Sequence, residues 1–216
     1  MLSLKLVSPE EGLTILCIGA HCDDIEIGCG GTLLRLLEEY PVKLVKWIVF
    51  TSTQERAKEA KSCAEAFLVN VKKKEIMIKS FRDSYLFDSA AEVKRSMEEI
   101  RKDFQPDLVF THHRQDLHQD HRLLADLTWN AFRNHLILEY EIPKYDGDLG
   151  HPNFFVSLDK TVVERKSCLL NEHYHSQSAK HWFDPELFSG LMRLRGMECA
   201  SPTRYAEAFH SRKTQL

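Results

Sequence analysis

Two short runs in this sequence concentrate groups that bind cations and move protons. The first is Ala20-His21-Cys22-Asp23-Asp24-Ile25-Glu26; the second is His112-His113-Arg114-Gln115-Asp116-Leu117-His118-Gln119-Asp120-His121-Arg122. The second holds four of the eleven histidines and two aspartates, more than a solvated loop requires. An imidazole and two carboxylates packed as closely as His21, Asp23 and Asp24 repel or compete unless something positive stands among them. A divalent metal is the simplest such object. Histidine with aspartate suits zinc, although a two-histidine, one-carboxylate set also accepts iron or cobalt. A catalytic zinc keeps three protein ligands and one open position, and His21, Asp24 and His121 can supply the three. Asp23 is then free to take a proton from a water acidified by the metal. His118 can lie beside the open position, stabilise an oxyanion and protonate a departing amine. Asp116 or Asp120 would orient it. These parts suffice to hydrolyse an amide.

The elements that must bring the two runs together are legible as alternating β-rich and amphipathic segments. Thr14–Gly19 is a continuous apolar run suited to a strand buried on both faces. A helix starting near the glycines at 28–31 carries Leu33, Leu34, Leu36 and Leu37 inward. Lys43–Phe50 reads as a second strand, followed by a helix with Ala60, Cys63, Ala64 and Phe67 at helical spacing. Glu75–Ile78 is a short third strand. Ser89 caps a helix whose stripe is Val93, Met97, Ile100 and Phe104, and Pro106 ends it. Asp107–Thr111 is the fourth strand, then come a helix with Leu123, Leu124, Leu127 and Ala131 and a strand over Leu136–Ile142. Turn residues fill 146–153, a short strand covers Phe154–Val156, Asp159 caps a helix over 160–171, and another helix covers 185–197. The fold expected is α/β: a Rossmann-like sandwich with a mostly parallel sheet, helices on both faces and a C-terminal extension, in a single domain over 1–216. In the order 3-2-1-4-5, strands one and four are neighbours across the switch point. Both motifs therefore face one crevice.

AHCDDIEIGCGGTL and PDLVFTHHRQDLHQDHR resemble the two motifs of the LmbE/PIG-L family of zinc-dependent N-deacetylases. The resemblance implies zinc bound by His21, Asp24 and His121, Asp23 as general base and His118 as general acid, with Asp120 in the same catalytic group. It further implies an N-acetylglucosamine-like sugar or conjugate as substrate, releasing acetate and the free amine, and a tendency to form homo-oligomers. Arg56 resembles an arginine that the family uses near substrate; Asp83 and Asp116 are the other candidates for substrate contact. Weaker echoes lie at Pro152-Asn153, His175-Ser176-Gln177 and Tyr205–Phe209. The family's usual proline in the first motif is Cys22 here, which restores a backbone N–H and frees φ.

Blander roles stand beside several of these. Arg56 equally suits a solvated helix face, Asp83 a turn, and Glu26 a helix start. His112 or His113 either lines the crevice or ends a strand satisfied by backbone. Gly28, Gly30 and Gly31 lack the dinucleotide spacing and read as sites of close helix packing, which argues against an oxidoreductase. A metal-retaining sugar-binding protein without turnover is the other rival, and it would be expected to lack the base or the acid. A net charge of −3 offers no basic face for nucleic acid or a membrane surface. Six cysteines without a CxxC pair, no signal-like N-terminus and no long apolar run point to a reduced, cytoplasmic protein.

Overall fold

A computed structural model describes residues 5–6, 9–10 and 12–214. The elements run β1 (Leu13–Gly19), α1 (Asp24–Glu39), β2 (Val42–Thr51), α2 (Gln54–Phe67), β3 (Lys74–Phe81), α3 (Ala90–Asp103), β4 (Leu108–His112), α4 (Gln119–Ala131), β5 (Leu136–Tyr140), β6 (Phe154–Leu158), α5 (Lys160–His173), α6 (Pro185–Glu198) and β7 (Tyr205–His210). They build one seven-stranded sheet in the order β3-β2-β1-β4-β5-β7-β6. The first five strands pair in parallel, and β7 pairs antiparallel to both β5 and β6.

Alternation along β1 divides the core. Ile15 and Cys17 face the side covered by α1, α2, α5 and α6, whereas Leu16 and Ile18 face α3 and α4. The sheet is thus covered on both sides, as parallel sheets require. The expected adjacency of β1 and β4 is present, with Ile15, Leu16 and Cys17 paired to Leu108, Val109 and Phe110. The C-terminal third lengthens this sheet: β7, to which the sequence reading assigns no strand, enters between β5 and β6.

Two boundaries and one cap depart from expectation in ways that bear on the site. Helix α1 begins at Asp24, ahead of the glycines, because packing overrides their poor helix propensity. A Cβ on Gly28 would lie 2.2 Å from the Tyr140 ring, one on Gly30 2.9 Å from Phe67, and one on Gly31 2.6 Å from Leu158. Ser89 does occupy the N-cap position of α3, but its side chain makes no capping bond; a 3-10 turn over Leu86–Ser89 leads into the helix instead. Strand β5 stops at Tyr140, two residues early, where the chain turns toward the crevice. All six cysteines are free thiols. No helix among the described residues is long and apolar enough to cross a membrane.

Candidate active site

The two motifs meet at the carboxyl ends of β1 and β4. His21 follows β1 directly, Asp23 stands at the N-cap of α1, and Asp24 opens its first turn. His121 lies in the first turn of α4 and His118 at its N-cap. Three atoms converge: His21 Nδ1 is 3.0 Å from His121 Nε2 and 3.4 Å from Asp24 Oδ2, and His121 Nε2 is 3.6 Å from that same oxygen. Tetrahedral zinc with bonds of about 2.0–2.2 Å places neighbouring ligand atoms about 3.3–3.6 Å apart. The donor types suit zinc and the two separations to Asp24 match that spacing, while the two imidazole nitrogens stand about 0.3 Å closer together than a bound ion would set them. His112 lies 3.2 Å from Asp24 and stacks on His121 with ring centroids 3.8 Å apart. Its Nε2, however, accepts the Ala20 N–H at 2.9 Å. His112 thus ends β4 beneath the site with only one ring nitrogen met by backbone; its buried Nδ1 has no hydrogen-bond partner among the described residues.

Carboxylates stand behind both histidines. His121 Nδ1 donates to Asp116 Oδ2 at 2.9 Å, and Asp116 Oδ1 accepts the His118 backbone N–H at 2.8 Å. Behind His21, Nε2 lies 3.1 Å from Asp83 Oδ1 and 3.4 Å from Asp120 Oδ2. Such carboxylate–histidine pairs fix ring orientation and raise ligand basicity. Asp116, one of the candidates for substrate contact, is buried beneath His121. Asp83 is exposed and lines the cleft while also meeting His21. Asp120 does not reach the His118 ring with its carboxylate. That group accepts the Ser84 and Leu86 N–H groups at 2.8 and 3.1 Å and so holds the loop that carries Asp83. The Asp120 backbone N–H donates to His118 Nδ1 at 3.3 Å, which leaves the ring proton on Nε2.

Asp23 faces the crevice from the other side. Its Oδ1 pairs with Arg56 at 3.1 Å, and its buried Oδ2 has no hydrogen-bond partner among the described residues. Arg56 starts α2, where Thr53 caps the helix by accepting the Arg56 N–H; its guanidinium lies over the Tyr174 ring. The Arg56 side chain is thus turned into the site instead of toward solvent. Cys22 points away and donates to Thr51 O at 3.4 Å. Glu26 is also turned away, beneath the motif, where the Tyr174 hydroxyl donates to it at 2.5 Å.

Burial and charge separate the titrations. Burial opposes ionisation of Asp24, yet His121, His112 and His21 around it hold its carboxyl well below the usual range. Burial also opposes charge on His21, but Asp24, Asp120 and Asp83 outweigh it and raise His21 well above an ordinary histidine. Burial and neighbouring His112 push His121 down to about 3. His21 and His121 thus form a donor and acceptor across their 3.0 Å contact. Asp23 is raised by burial against the pull of Arg56, which moves a carboxylate toward the range of a general base. Burial and His21 lower His118. Burial lifts the Cys22 thiol to about 12, so it is no ready metal ligand.

The cleft above these groups has an empty volume of about 760 Å³ including its open mouth. Its lining brings together His21, Asp23, Asp24, Arg56, Asp83, His118 and His121, all singled out from sequence. It also includes Lys144, Tyr145 and Trp182, which the sequence reading missed. Nothing in the turn-rich run around 146–153 announces that Lys144 reaches Asp116, 28 residues away, at 2.9 Å.

Known proteins resemble this chain in sequence and in fold. Residues 16–132 match PIG-L, GlcNAc-PI de-N-acetylase. The uncharacterized deacetylase YaiS of Escherichia coli (strain K12) is 30% identical over 182 residues, covering 79% of this chain and 96% of YaiS. The N,N'-diacetylchitobiose deacetylase from Pyrococcus horikoshii superposes with a TM-score of 0.67 at 21% identity, over 92% of this chain and 83% of that one. The 4-carboxy-2-hydroxymuconate hydratase GalB of Pseudomonas putida KT2440 shares the fold, with a TM-score of 0.71 at 15% identity over 94% and 98%.

Proposed function

The chain belongs to the PIG-L family, and from that premise we propose that it is a zinc-dependent N-deacetylase acting on an N-acetylated amino sugar or its conjugate. A fold that also serves a hydratase does not choose the reaction, so the site must. The observation that carries the reading is the triangle of His21 Nδ1, Asp24 Oδ2 and His121 Nε2 at 3.0, 3.4 and 3.6 Å, with the unpartnered Asp23 Oδ2 beside it. A cation bound at those three atoms supplies Lewis-acid polarisation of the acyl carbonyl and a more acidic water.

The chain's own residues do the rest. Asp23 Oδ2 takes the proton of the attacking water, and Arg56 keeps Asp23 turned to the cleft through Oδ1. His118, whose Nδ1 is occupied by the Asp120 N–H, presents Nε2–H to the developing oxyanion. The departing nitrogen leaves as the amine once protonated: His118, as general acid, gives up its Nε2 proton, and the proton that Asp23 took from the water replaces it, so the site ends as it began. Asp116 holds His121 from behind, and Asp83 meets both His21 and a substrate hydroxyl. The described elements work as one domain, because a single sheet carries both motifs and the C-terminal strands.

The test is incubation of the zinc-loaded protein with a panel of N-acetylated amino sugars and disaccharides. Acetate and free amine should appear in equal amounts. Bound zinc with neither product from any member would favour the non-turnover binding protein.

A further inference from the structure

Lys144 lies in the segment between β5 and β6 that forms one wall of the cleft, and its side chain is largely buried. Its three donors are all committed. Nζ lies 2.9 Å from Asp116 Oδ2, 2.7 Å from Asp148 Oδ1 and 3.3 Å from Ile142 O. The first of these acceptors is the oxygen to which His121 Nδ1 donates, also at 2.9 Å. A proton-bearing cation and a histidine destined to hold a metal therefore draw on one carboxylate oxygen.

We propose that Lys144 is a positioning residue that tunes the metal centre through Asp116. A carboxylate behind a ligand histidine makes that histidine a stronger donor. An ammonium on the same oxygen takes back part of that effect. Lys144 thereby loosens cation binding and keeps the bound cation a stronger Lewis acid than Asp116 alone would allow. A purely structural tie does not need this arrangement. Asp148 already fastens the segment to the second motif by accepting the Leu117 N–H at 2.7 Å, and Arg122 secures that motif through Asp116 O. The charge of Lys144 balances the nearly buried Asp148 as well as Asp116, and it is the part that falls on Asp116 that bears on the metal centre.

The inference rests on the metal-centre reading above and is tested by zinc affinity, measured on the full chain by competition with a chromophoric chelator. Lys144→Met should bind zinc about tenfold more tightly, within the range of effects known for groups behind a ligand, while acetate release slows. Lys144→Arg, which keeps the charge, should stay close to the parent affinity. In an Asp116→Asn background the Lys144→Met change should leave affinity unaltered, because the route through the shared oxygen is gone. A folded Lys144→Met protein with unchanged or weaker zinc binding overturns the proposal, as does an effect that persists in the Asp116→Asn background. If Lys144→Met fails to fold, Lys144→Gln is read in the same way. A parent protein that binds no zinc removes the metal centre itself; a parent that binds zinc but whose Lys144 variants match it removes only this inference.

Discussion

Replacing Asp23 by asparagine separates chemistry from architecture at this site. The substitution keeps the shape of the side chain but removes its charge and its basicity. Asp23 is not among the three converging donor atoms, so zinc content should remain that of the parent. General base catalysis contributes roughly 10²–10⁴-fold. At about 1.36 kcal/mol per decade, the transition state should lose about 3–5 kcal/mol, read as a fall in kcat. Stability should move the other way. The folded-state pKa of Asp23 is raised above its unfolded value, chiefly by burial, so the folded chain binds that proton more tightly. Between the two values stability falls as pH rises, and above both the ionised group costs stability. Asparagine removes that cost. Arg56 loses its closest partner but keeps Glu59 at 3.9 Å and the Tyr174 ring. The assay pairs acetate release with metal content and a thermal midpoint near pH 8. Turnover within tenfold of the parent, with zinc still bound, would refute the base assignment. A lower midpoint accompanied by metal loss would show that Asp23 holds the site together instead.

Three further outcomes follow from the same geometry. Because His21 is raised and His121 lowered, zinc binding near pH 7 should expel the proton they share; calorimetry in buffers of different ionisation enthalpy should find about one proton released per zinc, and none released would contradict the pairing. Gly28→Ala sets a Cβ 2.2 Å from the Tyr140 ring, whose hydroxyl is anchored on Ile18 O. Overpacking of this kind costs about 1–3 kcal/mol, so the thermal midpoint should fall by roughly 2–12 °C; an unchanged midpoint would mean that the helix shifts freely. Asp120→Ala withdraws the acceptor of the Ser84 and Leu86 N–H groups and releases Ser84 from its positive φ of 64°. Amide exchange at 84 and 86 should quicken, with KM rising more than kcat falls; unaltered exchange would leave the loop held by other means.

Much of this is legible in the sequence, for identifiable reasons. A parallel sheet buried on both faces demands continuous apolar strands, and Thr14–Gly19 and Asp107–Thr111 are short and apolar enough to stand out. Once they are neighbours, both histidine-rich motifs must share an edge. What escaped was encoded in contacts between distant residues. Tyr205–His210 carries Glu207 at its centre, which reads poorly as a buried strand. In the fold that carboxylate accepts the Gly31 and Thr32 N–H groups and pairs with buried Lys166 at 2.7 Å. Each partner is costly to bury alone and tolerable only with the other. The start of α1 was misplaced for a related reason: glycines lower local helix propensity, while the gain from close packing on Tyr140, Phe67 and Leu158 appears only in three dimensions.

The carboxylates of the second motif show the sharper limit of sequence reading. Residue type and spacing identify a set able to bind metal and move protons, but side-chain direction decides which member does which. Asp116 and Asp120 are four apart, near one end of α4, and either is plausible as the partner of His118. In the fold they diverge: Asp116 turns back under His121 and meets Lys144, while Asp120 reaches across to the loop after β3. The consequence is a division of labour that substitution can expose. Asp116→Asn should weaken zinc binding by about 10–100-fold because it disturbs a ligand from behind. Asp120→Ala should act chiefly through the loop that carries Asp83, and hence on substrate, and only weakly on His21, whose Nε2 lies 3.4 Å from Asp120 but keeps Asp83 at 3.1 Å. Similar zinc affinities in the two variants would mean that both carboxylates serve the metal equally, contrary to the directions in which they point.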